Sequence, residues 1–231
     1  MSDDAPQGAV SERARCVAII MDGNARWAQQ RELPVLDGHR EGAQALKRTV
    51  KDAVRHGLDE LTVYAFSTEN WSRPEDEVKG LMAMFAELIR SETPELKDEG
   101  VKMQFIGRRE GLSAELRDMM DWATEETASQ ERLKLYVAFN YGGRAELLDA
   151  ARRFDGETEE EFAALLYAPD MTDPDLVIRT SGEHRLSNYL LWQTAYSELY
   201  FTDALWPDFN ETELVTALED FENRGRRFGA R

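Results

Sequence analysis

One cysteine, three histidines and six lysines in 231 residues narrow the chemistry before any motif is read. Cys16, being alone, cannot close an intrachain disulfide or build a cysteine-rich zinc site, and a reducing cytoplasm is the expected setting. The histidines His39, His56 and His184 show no HExxH-like spacing, which argues against a histidine metal triad. His56, at the end of a helical pattern, suits the helix dipole and is given no functional role. No uninterrupted apolar run approaches the about 20 residues of a membrane span. The segment MSDDAPQGAVSERAR is acidic, lacks an apolar stretch and does not read as a secretory signal. Cations are scarce too: 28 Lys and Arg face 45 Asp and Glu, for a net charge of −17. That balance disfavours nucleic acid and anionic lipid as non-specific partners. If the ligand is an anion, the few basic residues must be gathered at one place. Internal repeats, low-complexity segments and the phosphate-binding pattern GxxxxGK[ST] are all missing.

What is present is an alternation. Apolar, β-rich runs at 16–20, 61–66, 101–106, 133–139, 175–179 and 198–201 predict six strands. Helical spacing at 39–56, 75–90, 113–128, 144–154, 159–167 and about 210–223 predicts the helices between and after them. Pro94 is expected to kink or end the second of these, and Ser113 to cap the third. The expected fold is a single α/β domain over 15–231, a six-stranded, mostly parallel sheet flanked by helices, with 1–14 a mobile, disordered tail. Ligands of such sheets bind beyond the carboxyl ends of the strands. That rule singles out MDGNARW (21–27), STENWSRP (67–74), NYGGR (140–144) and RTSGEHRLSN (179–188).

Each segment carries two readings. Asp22 followed by Gly23 after a buried strand suits Mg²⁺ held over a diphosphate, or is an ordinary β-turn. A phosphoaspartate mechanism of the haloacid dehalogenase type is rejected, because position 24 is Asn24 and not a second acid. STENWSRP offers a hydroxyl, an amide, an indole and a guanidinium, or is a capped loop ending at Pro74 with Trp71 anchoring it to the core. Arg179, Arg185 and Ser187 suit phosphate oxygens, or the arginines pair with neighbouring carboxylates.

Together MDGNARW, YAFSTENWSRP, NYGGR and DPDLVIRTSGEHRLSNYLLWQTAYSELYFTDALWPDF resemble the cis-prenyltransferases of the undecaprenyl diphosphate synthase type, over about residues 15–229. The resemblance implies a cytoplasmic homodimer, with at most peripheral membrane contact for product release and no nucleic acid partner. It implies Mg²⁺-dependent condensation of isopentenyl diphosphate onto an allylic diphosphate, farnesyl diphosphate by expectation, to a long carrier-lipid precursor. Carried over by motif, Asp22 is the essential acid and a Mg²⁺ ligand, and Glu198 is the second acid associated with the metal. Gly23, Asn24, Arg26 and His39 match the allylic diphosphate site, with Trp27 a flanking wall. Ser67, Thr68, Glu69, Asn70, Trp71 and Arg73 match a mobile loop that closes over the substrates. Asn70 is the residue assigned as proton acceptor, although a neutral amide is a very weak base, and positioning or relay to a diphosphate oxygen is the physically better role. Arg179, Arg185 and Ser187 match the isopentenyl diphosphate site, and Arg227 and Gly229 an element reaching across the dimer.

The growing chain needs shelter. Burying one five-carbon unit is worth about 4 kcal/mol, from about 0.8 per carbon group. An apolar tunnel is therefore expected, walled by Val78, Leu81, Met82, Phe85, Leu88 and Ile89 with the 39–56 helix opposite. By resemblance Ala65 lines its middle and Leu133 its floor. Two departures stand out: Val35 replaces a customary arginine, for which Arg31 or Arg40 could substitute, and the stretch between NYGGR and DPDLVIRT is short. The competing readings are a catalytically silent subunit, disfavoured by the retained Asp22, Arg26, His39, Asn70 and Glu198, and a short-chain synthase.

Overall fold

Six strands form one sheet in the order β3-β4-β2-β1-β5-β6, and every neighbouring pair is parallel. The computed structural model describes residues 13–224, so most of the expected 1–14 tail and the Arg227 and Gly229 element lie outside the described residues. The strands are β1 (Cys16–Ile20), β2 (Glu60–Ser67), β3 (Val101–Ile106), β4 (Leu133–Tyr141), β5 (Leu176–Arg179) and β6 (Glu198–Phe201). The helices are α1 (Asn24–Gln30), α2 (Val35–Arg55), α3 (Glu75–Asp98), α4 (Ala114–Glu126), α5 (Gly143–Ala151), α6 (Glu159–Ala163) and α7 (Glu211–Glu222). Short 3₁₀ turns occupy Thr68–Ser72 and Trp206–Asp208.

The strands are near-continuous apolar runs because both faces of the sheet are covered. On one face Val17, Ile19, Val63 and Leu135 pack against Ala45 and Ala53 of α2 and Leu214 and Phe221 of α7. On the other, Ala18, Ile20, Tyr136 and Ala138 meet Tyr189 and Leu190. A third cluster joins Phe66 and Phe139 to Leu81 of α3 and to Leu116 and Met120 of α4. Helix starts follow local chemistry: Ser113 accepts from Leu116 N–H, Thr158 and Glu161 form a reciprocal cap, and Asn210 accepts from Thr212 N–H.

Two of the differences from the expected helices have a clear local cause. α3 runs through Pro94 to Asp98, without ending there. Its last turns are held from outside, by Lys47 on Glu92 and Glu95, Lys51 on Glu95, and Lys97 on Glu126. Those ties, with Thr93 and Leu96 buried, offset the amide that Pro94 lacks. α6 is shorter than 159–167, because the chain must turn ahead of Pro169 and bring Thr172 N–H onto Glu60.

Candidate active site

The chain leaves β1 in one direction toward β2 and returns on its other side as β5, so the carboxyl ends of β1 and β5 form the switch point of the sheet. Ile20 and Arg179 are paired there, which puts Asp22, two residues on, beside the Arg179 side chain. The turn is braced from β5: Asp22 N–H donates to Thr180 Oγ1 at 2.9 Å, and the Thr180 hydroxyl donates to Asp22 O at 2.7 Å. Gly23 has φ +112°, and a Cβ there would meet Leu205 Cδ2 at 3.0 Å and Ser181 Cβ at 3.1 Å. Conformation and space both require glycine.

A polar cleft of about 530 Å³ opens over these strand ends. Arg179 is the most deeply placed cation, with 4% side-chain exposure. It donates to Asp22 Oδ2 at 2.9 Å, to Ser187 Oγ at 2.6 Å and to Arg185 O, while its buried Nε has no partner. Arg26 donates to the carbonyl of Ser181 at 2.9 Å and to its hydroxyl, and lies 3.7 Å from Asp22 and 3.8 Å from Glu183. Across the cleft Arg73 pairs with Glu77 at 2.9 Å. Among the cleft-lining residues, three arginines thus face two carboxylates, in a chain of net charge −17. These three arginines are gathered where an anion would need them.

His39 lies between Asn24 Nδ2 at 3.3 Å and Arg73 Nη1 at 3.5 Å. Burial, and then the Arg73 charge, push its pKa down to about 4, so it is a neutral imidazole at neutral pH. The helix crossing that makes this possible was missed in the motif reading. A Cβ at Gly38 would come within 2.2 Å of Asn24 O, and one at Gly42 within 2.4 Å of Asn24 Oδ1. Glycines four apart on α2 therefore let α1 lie directly on it; the spacing G-x-x-x-G was the available signal.

Ser67, Asn70 and Arg73 line the cleft, but the turn that carries them is also a capped loop, as the plainer reading had it. Ser67 N–H donates to Asn70 Oδ1 at 2.9 Å within a reciprocal cap. Trp71 packs edge-on against Phe66 and donates to Asn140 Oδ1 at 2.7 Å.

Other singled-out residues lie elsewhere. Thr68 donates to Glu69, whose Oε1 accepts from Asn188 at 2.7 Å, so both face the neighbouring loop. Trp27 lies in an outer groove with Nε1 on Asp208. Arg185 is exposed and paired with Glu183, the arrangement the non-functional reading anticipated. Ser187 touches the cleft only through Arg179. Glu198 starts β6, three residues along the strand from the level of Arg179, and pairs with Arg224 at 2.8 Å. At about 3.3 Å per residue that is about 10 Å back from the carboxyl ends, so within one chain Glu198 does not join Asp22. Arg31 is stacked 4.1 Å from the Trp27 ring centroid and paired with Asp208, and Arg40 is paired with Asp37. Neither fills the place of Val35, which does line the cleft.

Behind the cleft an apolar cavity of about 120 Å³ lies between α2, α3 and the sheet. Ala65 lines both spaces. Of the expected wall, Phe85, Leu88 and Ile89 line the cavity, together with Met84; Val78, Leu81 and Met82 do not. Leu135, Val137 and Phe139 supply the sheet side, while Leu133 is fully buried in the core outside it.

Comparison with known proteins agrees with this architecture. The prenyltransferase model of the undecaprenyl diphosphate synthase family matches residues 20–229. An isoprenyl transferase of Thermotoga maritima is 49% identical over 92% of this chain and 95% of its own length. One of Fusobacterium nucleatum is 49% identical over 92% and 94%. Among solved structures, a lavandulyl diphosphate synthase from Lavandula x intermedia, in complex with dimethylallyl diphosphate, superposes with a TM-score of 0.89 at 34% identity, covering 94% of this chain and 99% of that one. A probable undecaprenyl diphosphate synthase from Campylobacter jejuni does so at 0.81 and 28%, covering 95% and 100%. The chain belongs to the undecaprenyl diphosphate synthase family of cis-prenyltransferases.

Proposed function

We propose that this enzyme condenses isopentenyl diphosphate with an allylic diphosphate such as farnesyl diphosphate, making a long polyprenyl diphosphate, and that it works as a homodimer. The observation that carries the reading is the junction at Ala65, where an arginine-lined cleft opens directly onto an apolar cavity. That pairing suits a ligand with a diphosphate head and a hydrocarbon tail. Arg26 and Asp22, beside neutral His39, suit the allylic head; Arg179, with Ser187 and its unpartnered Nε, suits the isopentenyl head.

The donor set also suits Mg²⁺ of a particular kind. Among the described residues no group of three or more His, Cys, Asp or Glu could hold a metal. Asp22 alone offers a carboxylate at the base of the cleft, which fits Mg²⁺ that keeps most of its ligands from diphosphate oxygens and water. When bound, the ion supplies charge neutralisation on the departing diphosphate. Asp22 would hold it, and Arg26 and Arg73 would stabilise negative charge where it develops as the allylic C–O bond ionises. Arg179 would orient isopentenyl diphosphate so that its double bond attacks the allylic carbon. The C2 proton would then pass to an oxygen of the departing diphosphate. Asn70, with Oδ1 committed to Ser67 N–H, is suited to positioning and not to accepting that proton.

The second reading is a short-chain synthase, which the modest 120 Å³ of the cavity favours. Incorporation of radiolabelled isopentenyl diphosphate decides between them, with primer chosen from dimethylallyl, geranyl and farnesyl diphosphates and product length read by chromatography. Incorporation should require a divalent cation, restored after chelation by Mg²⁺. Asp22→Ala should lower turnover by about 10²–10³ or more, the usual loss when stabilisation of a developing anion is removed. Near-normal turnover of that variant would remove Asp22 from the chemistry.

A further inference from the structure

NYGGR was singled out because it follows a strand end, yet none of residues 140–144 lines the cleft. The segment instead holds both ends of the Thr68–Ser72 turn. At one end Asn140 Oδ1 accepts from Trp71 Nε1 at 2.7 Å, while its Nδ2 donates to the carbonyls of Arg108 and Glu110, each at 3.0 Å. At the other end the link passes through Asn188. Its Nδ2 donates to Glu69 Oε1 at 2.7 Å, its Oδ1 accepts from Arg144 N–H at 2.8 Å, and its carbonyl accepts from Gly143 N–H at 2.7 Å. Three loops, after β2, β4 and β5, therefore meet on one side chain.

The fit is close. A Cβ at Gly142 would lie 2.6 Å from Thr68 Oγ1 and 2.9 Å from Asn188 Nδ2, although its backbone is extended and would otherwise accept any residue. Asn188 has φ 64° and Ser187 φ 48°, two consecutive left-handed residues. Asparagine tolerates that conformation better than most side chains. Ser187 in turn accepts from Arg179 at 2.6 Å, and Arg179 reaches Asp22. The Arg179–Ser187 pair is thus linked through Asn188 to the turn that carries Asn70 and leads into Arg73.

We propose that Asn188 is a positioning residue that docks the Thr68–Ser72 turn on the NYGGR segment and ties it to the Arg179–Ser187 pair, so that the turn and the pocket for isopentenyl diphosphate are set together. The tie rests on the functional reading above for the identity of that ligand. Asn188 itself lies outside the cleft and acts through Glu69 and Ser187.

The test is a polarity swap in the full-length enzyme. N188D keeps an acceptor for Arg144 N–H but sets a second carboxylate against Glu69. Adding E69Q restores one donor and one acceptor with their order reversed. In the substrate-free protein, amide exchange of the 67–73 segment should accelerate about tenfold in N188D and return to the native rate in N188D/E69Q. In turnover, the KM for isopentenyl diphosphate should rise about tenfold in N188D, the size of one lost charge-assisted hydrogen bond, and recover in the double variant. The KM for the allylic primer should rise less than that for isopentenyl diphosphate and recover with it in the double variant. Native exchange in N188D, or a double variant no better than N188D, overturns the proposal. So does an equal rise in both KM values, which marks a general loss of structure. If the native enzyme does not use isopentenyl diphosphate, the functional reading falls, and the exchange rates still decide whether Asn188 holds the turn.

Discussion

His39 shows how one residue's surroundings set its chemistry. Burial and Arg73 hold its pKa at about 4, below the about 6.5 of an exposed histidine, with Glu77 opposing. The unfolded chain therefore takes up the proton first. The contribution to stability is complete above pH 6.5 and is lost as pH falls from 6.5 to about 4, by at most about 3 kcal/mol. Relative to His39→Gln, the Tm of the native protein should fall across that window; an offset independent of pH would unlink His39 from folding. Val35 is the second residue-scale case. It lines the cleft, while Arg31 and Arg40 are committed to Asp208 and Asp37. An arginine there would donate charge-assisted hydrogen bonds to an allylic diphosphate, worth about 1.5–3 kcal/mol each. Val35→Arg should lower the primer KM about tenfold and leave that for isopentenyl diphosphate alone, and Arg31→Ala should change neither. No effect of Val35→Arg would show that this position does not face the diphosphate.

At the scale of elements, α2 and α3 run side by side in the same direction: Leu36 sits against Gly80, and Lys47 reaches Glu92 and Glu95. The apolar cavity lies between them and the sheet, with Ala65 of β2 at its neck and Leu135 of β4 on its sheet side. β4 alternates, so Leu133 faces the same way as Leu135, but it sits one pleat deeper in closed core. Ala65→Leu should shorten the product by narrowing the neck. Leu135→Ala should lengthen it, with Leu133→Ala mainly lowering stability, by about 2–5 kcal/mol. Product length unchanged in both Ala65→Leu and Leu135→Ala would detach the cavity from chain growth.

At the scale of the whole molecule, the net charge is −17, whereas among the residues lining the cleft arginines outnumber carboxylates. Among the described residues, no helix is long and apolar enough to cross a membrane. Among the described residues the two most exposed large apolar side chains are Leu148 of α5, at 50% exposure, and Tyr196, at 79%. In the proposed homodimer these are the side chains to cover. The double variant Leu148→Glu, Tyr196→Glu should sediment as a monomer where the native chain sediments as a dimer. A dimer retained by that variant would place the contact elsewhere.

Six strands, their order along the chain and the segments at their carboxyl ends were legible in the sequence, because a buried parallel strand needs an apolar run and a ligand site needs polar residues just past it. The capped turn at Ser67 and the glycine after Asp22 were legible for the same local reason. Only the tertiary structure decided which of those residues share a space. Arg179 reaches Asp22 across 157 positions, and the pKa of His39 is lowered first by burial and then by Arg73, 34 residues away, folded against it. Pro94 stays inside α3 because lysines of α2 hold the turn around it. Glu198 looked like a partner for Asp22 by motif, but strand register sets it about 10 Å back in the same chain. NYGGR looked like a ligand loop, but its glycines make room for Thr68 and Asn188. Strand identity is a local property of side-chain pattern, whereas proximity, desolvation and charge pairing arise between segments far apart in the chain, and no local pattern encodes them.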